Sequence, residues 1–187
     1  MDFSLTEEQQ MIVDTFSKYA ENEIKPLAEK YRDELIPKDI ALSIQKDLLQ
    51  FGVGVGVAAE EFGGMGLDTK TMGLLQFELA KVSPDIAITS LIQMTVSKLF
   101  SCVPEHLRAD YIDPVLAAEK IGCVAMSEAG AGSQVTAVSC RAREDGDDYV
   151  INGSKMWITN GTQADWMCML ANTDPDAKNK HFNKSLI

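Results

Sequence analysis

The sequence predicts an α+β chain: an N-terminal all-α helical bundle followed by an incomplete antiparallel β-barrel-like or sandwich domain. Three observations predict it. Apolar residues recur at steps of three and four through the first 120 residues, and after Glu119-Lys120 the period falls to two. The last residues, Asn183 to Ile187, then read as the opening of a further strand with no partner after it, so the β layer is expected to be truncated. The expected domains are residues 1–120, helical, and residues 121–187, β.

The helices follow in order. Thr6 with Gln9 is a capping-box pattern, and Glu7 and Glu8 occupy the first turn, where a helix dipole favours acids. Ile12, Phe16, Tyr19, Ile24 and Leu27 continue at close to helical spacing, and Pro26 should kink or end that helix. A second helix opens at Pro37–Asp39, presents Ile40, Ile44 and Leu48, and stops at Gly52. Met72, Leu75, Leu79 and Val82 mark a third. Pro84 opens a segment apolar on most sides, including Ile86, Ile88, Leu91, Ile92, Met94, Val96 and Leu99, which predicts a helix in the middle of a bundle. Pro104 starts one more, with Leu107, Tyr111 and Val115 on a stripe that Pro114 should bend.

In the second domain Val138, Cys140 and Ala142 alternate with Ser139, Arg141 and Arg143. The run Glu144–Asp148 is a turn, and Tyr149-Val150-Ile151-Asn152 returns as a second strand. Trp166, Cys168 and Leu170 alternate with Met167 and Met169 in another.

Composition narrows the function classes. Hydrophobic residues at 45% and charged residues at 24% are ordinary for a globular chain. A formal charge of −11 lacks the basic footprint that a nucleic-acid backbone or an anionic membrane requires. Cys102, Cys123, Cys140 and Cys168 stand far apart, with no paired His, so no metal site and no disulfide framework is expected; free, buried thiols are the simpler reading. The acids of Glu144–Asp148 are read as a solvated hairpin tip, and His106 and His181 as surface residues. No secretory leader or membrane span is expected from the sequence, and a cytoplasmic location is the default expectation.

Two stretches could carry chemistry. Ala125 to Gln134 follows a short apolar strand and is rich in glycine and small hydroxyls, so a ligand could approach its backbone closely. By itself this is also what a plain turn looks like. In Ile151 to Gly161, Trp157 and Thr159 are expected on one side of a strand, an indole face and a hydroxyl suited to a flat heteroaromatic. A core tryptophan beside a surface threonine is the commoner fate of such a pair.

Taken together, the stretches are more specific. Ser127-Glu128-x-Gly130-Ala131-Gly132-Ser133, a hairpin, and then Ile151-Asn152-Gly153-x-Lys155-x-Trp157-Ile158-Thr159-Asn160 resemble the acyl-CoA dehydrogenase family. Upstream, Phe3-x-Leu5-x-x-Glu8-Gln9 and Glu60-Glu61-Phe62-Gly63-Gly64-x-Gly66-Leu67 match its N-terminal helical domain, so the resemblance runs from residue 3 to about 172. It implies a flavoprotein of fatty acid metabolism with FAD between the middle β domain and a C-terminal bundle.

Carried over by position, Val124, Met126, Ser127, Gly132, Ser133, Trp157, Ile158 and Thr159 are the implied FAD-binding residues. Met126 and Ser127 would line the ring, Trp157 would cover the face away from substrate, and Thr159 would bond near N5. Gly132 and Ser133 would face the pyrophosphate, with Ser133 also near the pantetheine arm of the substrate. Ala129 stands where the family usually has proline and Gln134 where it has aspartate, and Ala59 is a similar departure.

The implied reaction is FAD-dependent α,β-dehydrogenation of an acyl-CoA thioester, with an electron-transferring flavoprotein as acceptor and a homo-oligomer, tetramer or dimer, as the full-length form. The implied base is a glutamate expected beyond Ile187. Glu128 is rejected for that role because it matches a structural loop position, and Glu78 is read as a paired or partly solvated acid. A fragment of this kind is expected to be inactive alone. The alternatives are an acyl-CoA oxidase-like flavoenzyme, or a non-catalytic subunit that completes its site with a second chain.

Overall fold

In the computed structural model, the described residues are 4–54, 60, 64–99, 103–179 and 183–187. They fall into two compact units, Met1–Ile121 and Gly122–Ile187. His181, Cys102 and most of the Glu60–Gly64 run lie outside the described residues.

The first unit is helical. Helix α1 (Glu7–Tyr19) starts at Thr6, whose hydroxyl accepts from Gln9 N–H while the Gln9 side chain accepts from Thr6 N–H, a complete capping box. Pro26 does not end the helical path. A π-turn, Ala20–Ile24, precedes it, and α2 (Lys25–Lys30) carries Pro26 in its first turn. Widening the helix by one residue there relieves the clash that a proline ring makes with the preceding turn.

Helix α3 (Lys38–Leu48) tightens into a 3-10 turn and stops at Gly52, whose φ of 72° is the left-handed conformation that glycine adopts at low cost. Helix α4 (Thr69–Val82) is capped by Asp68, which accepts from the Lys70 and Thr71 amides. Helix α5 (Pro84–Lys98) is capped by Ser83.

One core joins these helices: Phe16, Ile24, Ile44, Leu48, Val53, Leu75, Leu79, Ile86 and Ala87. Phe16 meets Phe51 edge to face at 5.0 Å, the geometry that aromatic quadrupoles favour. Beside them, burial pushes the Tyr19 hydroxyl up to about 12, helped by the charges of Asp47 and Glu23.

Helix α5 departs from the expectation of an element apolar and buried on all sides. Its buried positions are Ile86, Ala87, Ser90, Gln93, Val96 and Ser97, whereas Ile88 is 44% exposed and Leu91, Ile92 and Met94 are half-buried. Small and polar side chains let the helix pack closely on its inner side, where Ser97 Oγ donates to Gly54 O and Gln93 Nε2 to Lys120 O. Helices α6 (Glu105–Tyr111) and α7 (Asp113–Leu116) follow, with Pro114 in the first turn of α7. The predicted stripe is only partly inside: Val115 is buried, Leu107 and Tyr111 are exposed, and Ile112 takes the buried place between them. Among the described residues, no helix is long and apolar enough to cross a membrane.

The second unit is a five-stranded sheet of β1 (Gly122–Ala125), β2 (Arg141–Asp145), β3 (Asp148–Asn152), β4 (Trp166–Asn172) and β5 (Lys184–Leu186). The sheet is not closed, and it is mixed rather than wholly antiparallel. Strands β2–β3 and β4–β5 pair antiparallel, whereas β1 runs parallel to β4 and β2 meets β4 in parallel at Arg141 and Asn172. The parallel pairing of β1 with β4 arises because the long excursion from Met126 to Asp165 returns the chain to β1 in the same direction, as a crossover allows and a tight turn does not.

The β2–β3 turn is closed by Gly146 at φ 68°, as two-residue hairpins require at their first central position. The burial alternation at Val138, Cys140 and Ala142 is as expected, although the strand begins only at Arg141 and Val135–Ala137 is a 3-10 turn. The final strand pairs back onto a strand that precedes it. Strand β5 pairs with β4, and Met169 and Ile187 exchange backbone hydrogen bonds of 2.6 and 2.9 Å. A small core of Ala131, Val138, Cys140, Ala142 and Ala171 lies against the sheet.

Candidate functional site

The two glycine-containing stretches singled out in the sequence are fastened together in the β unit. The first leaves β1 at Ala125 and folds back on itself: Glu128 N–H donates to Ala131 O at 2.9 Å, and Ala131 N–H to Glu128 O at 3.1 Å. The second follows β3. Gly153 takes φ 151° and packs so close to Cys140 that a Cβ would fall 2.7 Å from its Cα, so only glycine lets the chain leave the hairpin here. Met156 N–H then donates to Ser127 O at 3.0 Å, which joins the two stretches.

A buried ion pair makes the junction rigid. Glu128 Oε1 lies 2.9 Å from Lys155 Nζ, and the two side chains are 6% and 4% exposed. The carboxylate also accepts from Ser139 N–H at 2.8 Å, Ser139 Oγ at 2.6 Å and Cys140 N–H at 2.9 Å, and Lys155 Nζ donates further to Met126 O at 3.1 Å. Desolvation pulls the Glu128 carboxyl upward. Donation by Ser139 and Lys155 and by the Ser139 and Cys140 amides outweighs it and holds the group down to about 2. So weak a base, with both oxygens engaged, cannot serve as a proton acceptor near neutral pH. Glu128 is a structural anchor, as its position in the loop predicts.

Each expected site residue has a definite setting. Val124 lies in β1, half-buried, in register with Cys168. Met126 is 41% exposed and Ser127 half-buried, both held against Lys155 and Met156. Trp157 directly follows that junction and is 86% exposed. The expectation that Trp157 and Thr159 share one side of a strand is not met: β3 ends at Asn152, Trp157 has φ 60°, and Thr159 begins a turn. A bulky side chain with positive φ is a strained exception that surrounding structure must enforce, and here the Met156 bond and the Lys155 anchor flank it.

Ile158 and Thr159 are half-buried, with Ile158 O accepting from Gly161 N–H. Gly132 and Ser133 are exposed beyond the Glu128–Ala131 closure, and among the described residues no hydrogen bond joins them to the second stretch. Ser127 is joined to Met156, next to Trp157, by a backbone bond, and Met126 to Lys155 by the lysine side chain, whereas Gly132 and Ser133 are tied to them through their own loop.

Sequence reasoning missed the pairing of Glu128 with Lys155 and its anchoring to Ser139 and Cys140. The residues stand in both motifs, but a separation of 27 positions carries no signal that they meet. Elsewhere, Glu78 pairs with Lys81 at 2.7 Å, a structural use, and His106 is exposed. Cys123, Cys140 and Cys168 are free thiols; burial, then the nearby Cys168, pushes the Cys123 thiol up and away from reactivity. Among the described residues, no group of three or more His, Cys, Asp or Glu is arranged to hold a metal.

The site can be compared with known proteins. The family profile for the acyl-CoA dehydrogenase N-terminal domain matches residues 6–119, and that for the acyl-CoA dehydrogenase middle domain matches residues 123–187. A short/branched chain specific acyl-CoA dehydrogenase of Rattus norvegicus is 38% identical over 175 residues, covering 92% of this chain and 39% of the relative. The crystal structure of an acyl-CoA dehydrogenase from Geobacillus kaustophilus superposes with a TM-score of 0.81 at 29% identity, over 100% of this chain and 49% of that one. A glutaryl-CoA dehydrogenase from Mycobacterium smegmatis, in complex with FADH2, gives 0.77 at 27% identity, over 91% of this chain and 44% of that one. The chain thus spans less than half the length of these proteins. With two successive domains of one family matched in order along nearly all its residues, this chain belongs to the acyl-CoA dehydrogenase family.

Proposed function

We propose that this chain supplies the cofactor-contacting wall of an FAD-dependent enzyme that dehydrogenates an acyl-CoA thioester between its α and β carbons. The observation that carries the proposal is the Trp157 segment: an indole 86% exposed, at a strained positive φ, bonded through its neighbour to the loop that presents Met126 and Ser127. Strain of this kind persists where a side chain must be aimed, and an exposed indole beside a polar edge suits the flat isoalloxazine. Gly130 and Gly132 add support. Among the described residues, nothing apart from the chain neighbours lies within 4 Å of a Cβ built at either, so their own packing does not demand glycine, whereas close approach by a ligand's phosphates would.

FAD when bound supplies the electron sink for the β-hydride, while a carboxylate base takes the α-proton. The residues of this chain bind and orient. Trp157 covers one face of the ring, and Met126 with Val124 and Ile158 provides apolar lining. Ser127 and Thr159 offer hydroxyls at the polar edge, and Gly132 and Ser133 face the pyrophosphate, with Ser133 also near the pantetheine of the substrate. Glu128 is no candidate base, because its carboxylate is held by four hydrogen bonds. The acceptor in this proposal is an electron-transferring flavoprotein.

The test uses the protein encoded by the complete reading frame, purified with its flavin and mixed anaerobically with acyl-CoAs of graded length. Bleaching of the flavin band by at least one of them, with slow reoxidation in air and fast reoxidation by an electron-transferring flavoprotein, is the expected result. Rapid reoxidation by O₂ would move the protein to the oxidase-like alternative, and absence of bleaching by every thioester would reject the proposal.

A further inference from the structure

Glu128 and Lys155 are not among the residues proposed to touch FAD, yet they decide how the first stretch presents its backbone. We propose that Lys155, locked by Glu128, is a positioning residue: it holds the Met126 carbonyl inward and thereby fixes the Ser127 N–H outward as a donor to the polar edge of the flavin. The inference rests on the FAD reading above and deepens it by assigning a backbone donor and the side chains that aim it.

The geometry is that of two successive peptide planes. In a trans peptide, the carbonyl of one residue and the N–H of the next point in opposite directions. The plane between Ser127 and Glu128 is filled on both sides: Ser127 O accepts from Met156 N–H, and Glu128 N–H donates to Ala131 O. The plane between Met126 and Ser127 is filled on one side only. Met126 O accepts from Lys155 Nζ, and among the described residues no acceptor takes the Ser127 N–H, although Ser127 is only half-exposed. A donor in that setting is open to water or to a ligand's oxygen.

Lysine is usually a poor prop because its stem is flexible. Here the side chain is 4% exposed and its ammonium is held between a carboxylate and a carbonyl. The carboxylate is in turn fixed by Ser139 and Cys140, at the start of the β2–β3 hairpin. The prop is thus braced against the sheet, and because Glu128 neutralises it, its influence on a ligand is directional rather than a matter of net charge.

The full-length protein tests this with Lys155→Met and Glu128→Gln combined, which removes the donor to Met126 O without leaving an unpaired buried charge. Apo protein is titrated with FAD, and the band shape of bound flavin is recorded beside the thermal midpoint. The expected result is a folded variant whose Kd for FAD is raised about tenfold, the worth of one well-placed hydrogen bond, with an altered flavin band. A folded variant with the parent's Kd and band would overturn the proposal. A second measurement needs no variant: hydrogen exchange at the Ser127 amide of the parent, with and without FAD. Slowing on FAD binding is expected, and unchanged fast exchange in the FAD-loaded protein would overturn the proposal. A parent that binds no FAD at all would instead overturn the FAD reading on which the inference rests.

Discussion

The helical unit and the β unit are held together by opposite means. The first buries large apolar side chains: Phe16, Ile24, Leu48, Leu75 and Leu79 are at or near zero exposure in one cluster. The second has a core built mainly of small residues, Ala131, Val138, Cys140, Ala142 and Ala171, and places a charged pair at the junction of its loops. Burial of apolar area scales with side-chain size, so three alanines, a valine and a cysteine offer far less of it. The difference teaches where each unit keeps its precision. Apolar burial is non-directional, whereas directional bonds to Glu128 and Lys155 fix two loops to within hydrogen-bond tolerance.

This contrast can be broken by substitution. Phe16→Ala should cost about 4 kcal/mol, the usual loss for a fully buried aromatic, and denaturant unfolding should show it. Lys155→Met should cost a similar amount, about 3–5 kcal/mol, because it strands Glu128 as an unpaired buried carboxylate. The second change should be partly reversed by adding Glu128→Gln, which removes the stranded charge but can keep only one of the two backbone amide bonds that the carboxylate oxygens accept, and no charge substitution should rescue the first. A Lys155→Met protein with parental stability would show the pair to be dispensable.

Acid should separate the units in the same sense. The Glu128 carboxyl is lowered from 4.5 to about 2, so its contribution is complete above about pH 4.5 and is lost as pH falls toward 2. The amount is of order 3 kcal/mol, and Glu128→Gln should flatten that part of the stability–pH curve. Gly153→Ala is a smaller perturbation, about 2 kcal/mol, because its Cβ would collide with the Cys140 backbone at a φ that alanine resists. At the low end, Lys81→Met in the helical unit should change stability by less than about 0.5 kcal/mol. Its partner distance of 2.7 Å is shorter than that of Lys155, but Lys81 is solvated and Lys155 is not.

The helices are legible in the sequence because period, caps and proline are local signals. Thr6 with Gln9 marks a start by bonds that span three residues, and Pro84 and Pro104 stand at the openings of α5 and α6. Where the outcome depends on neighbours, the sequence is a poorer guide. The apolar residues of α5 do not tell that its inner side will be Ser90, Gln93 and Ser97, because close packing selects small groups that periodicity does not rank. Likewise, alternation and the turn at Glu144–Asp148 give β2 and β3 but not the parallel pairing of β1 with β4 across more than forty residues.

The candidate site divides in the same way. Its two stretches stand out by composition and order. The positive φ of Trp157 and the ion pair beneath it do not, since one is a conformation and the other a contact across 27 positions.

The most direct test of the proposed wall uses its tryptophans. These 187 residues hold two, Trp157, which is 86% exposed, and Trp166, which is half-buried in β4. Apo protein from the complete reading frame is titrated with FAD while indole emission is followed, beside a Trp157→Phe variant. Strong quenching in the parent, most of it lost in Trp157→Phe together with weaker FAD binding, is the predicted result. Equal quenching and equal affinity in the two proteins would contradict it and remove Trp157 from the flavin's face.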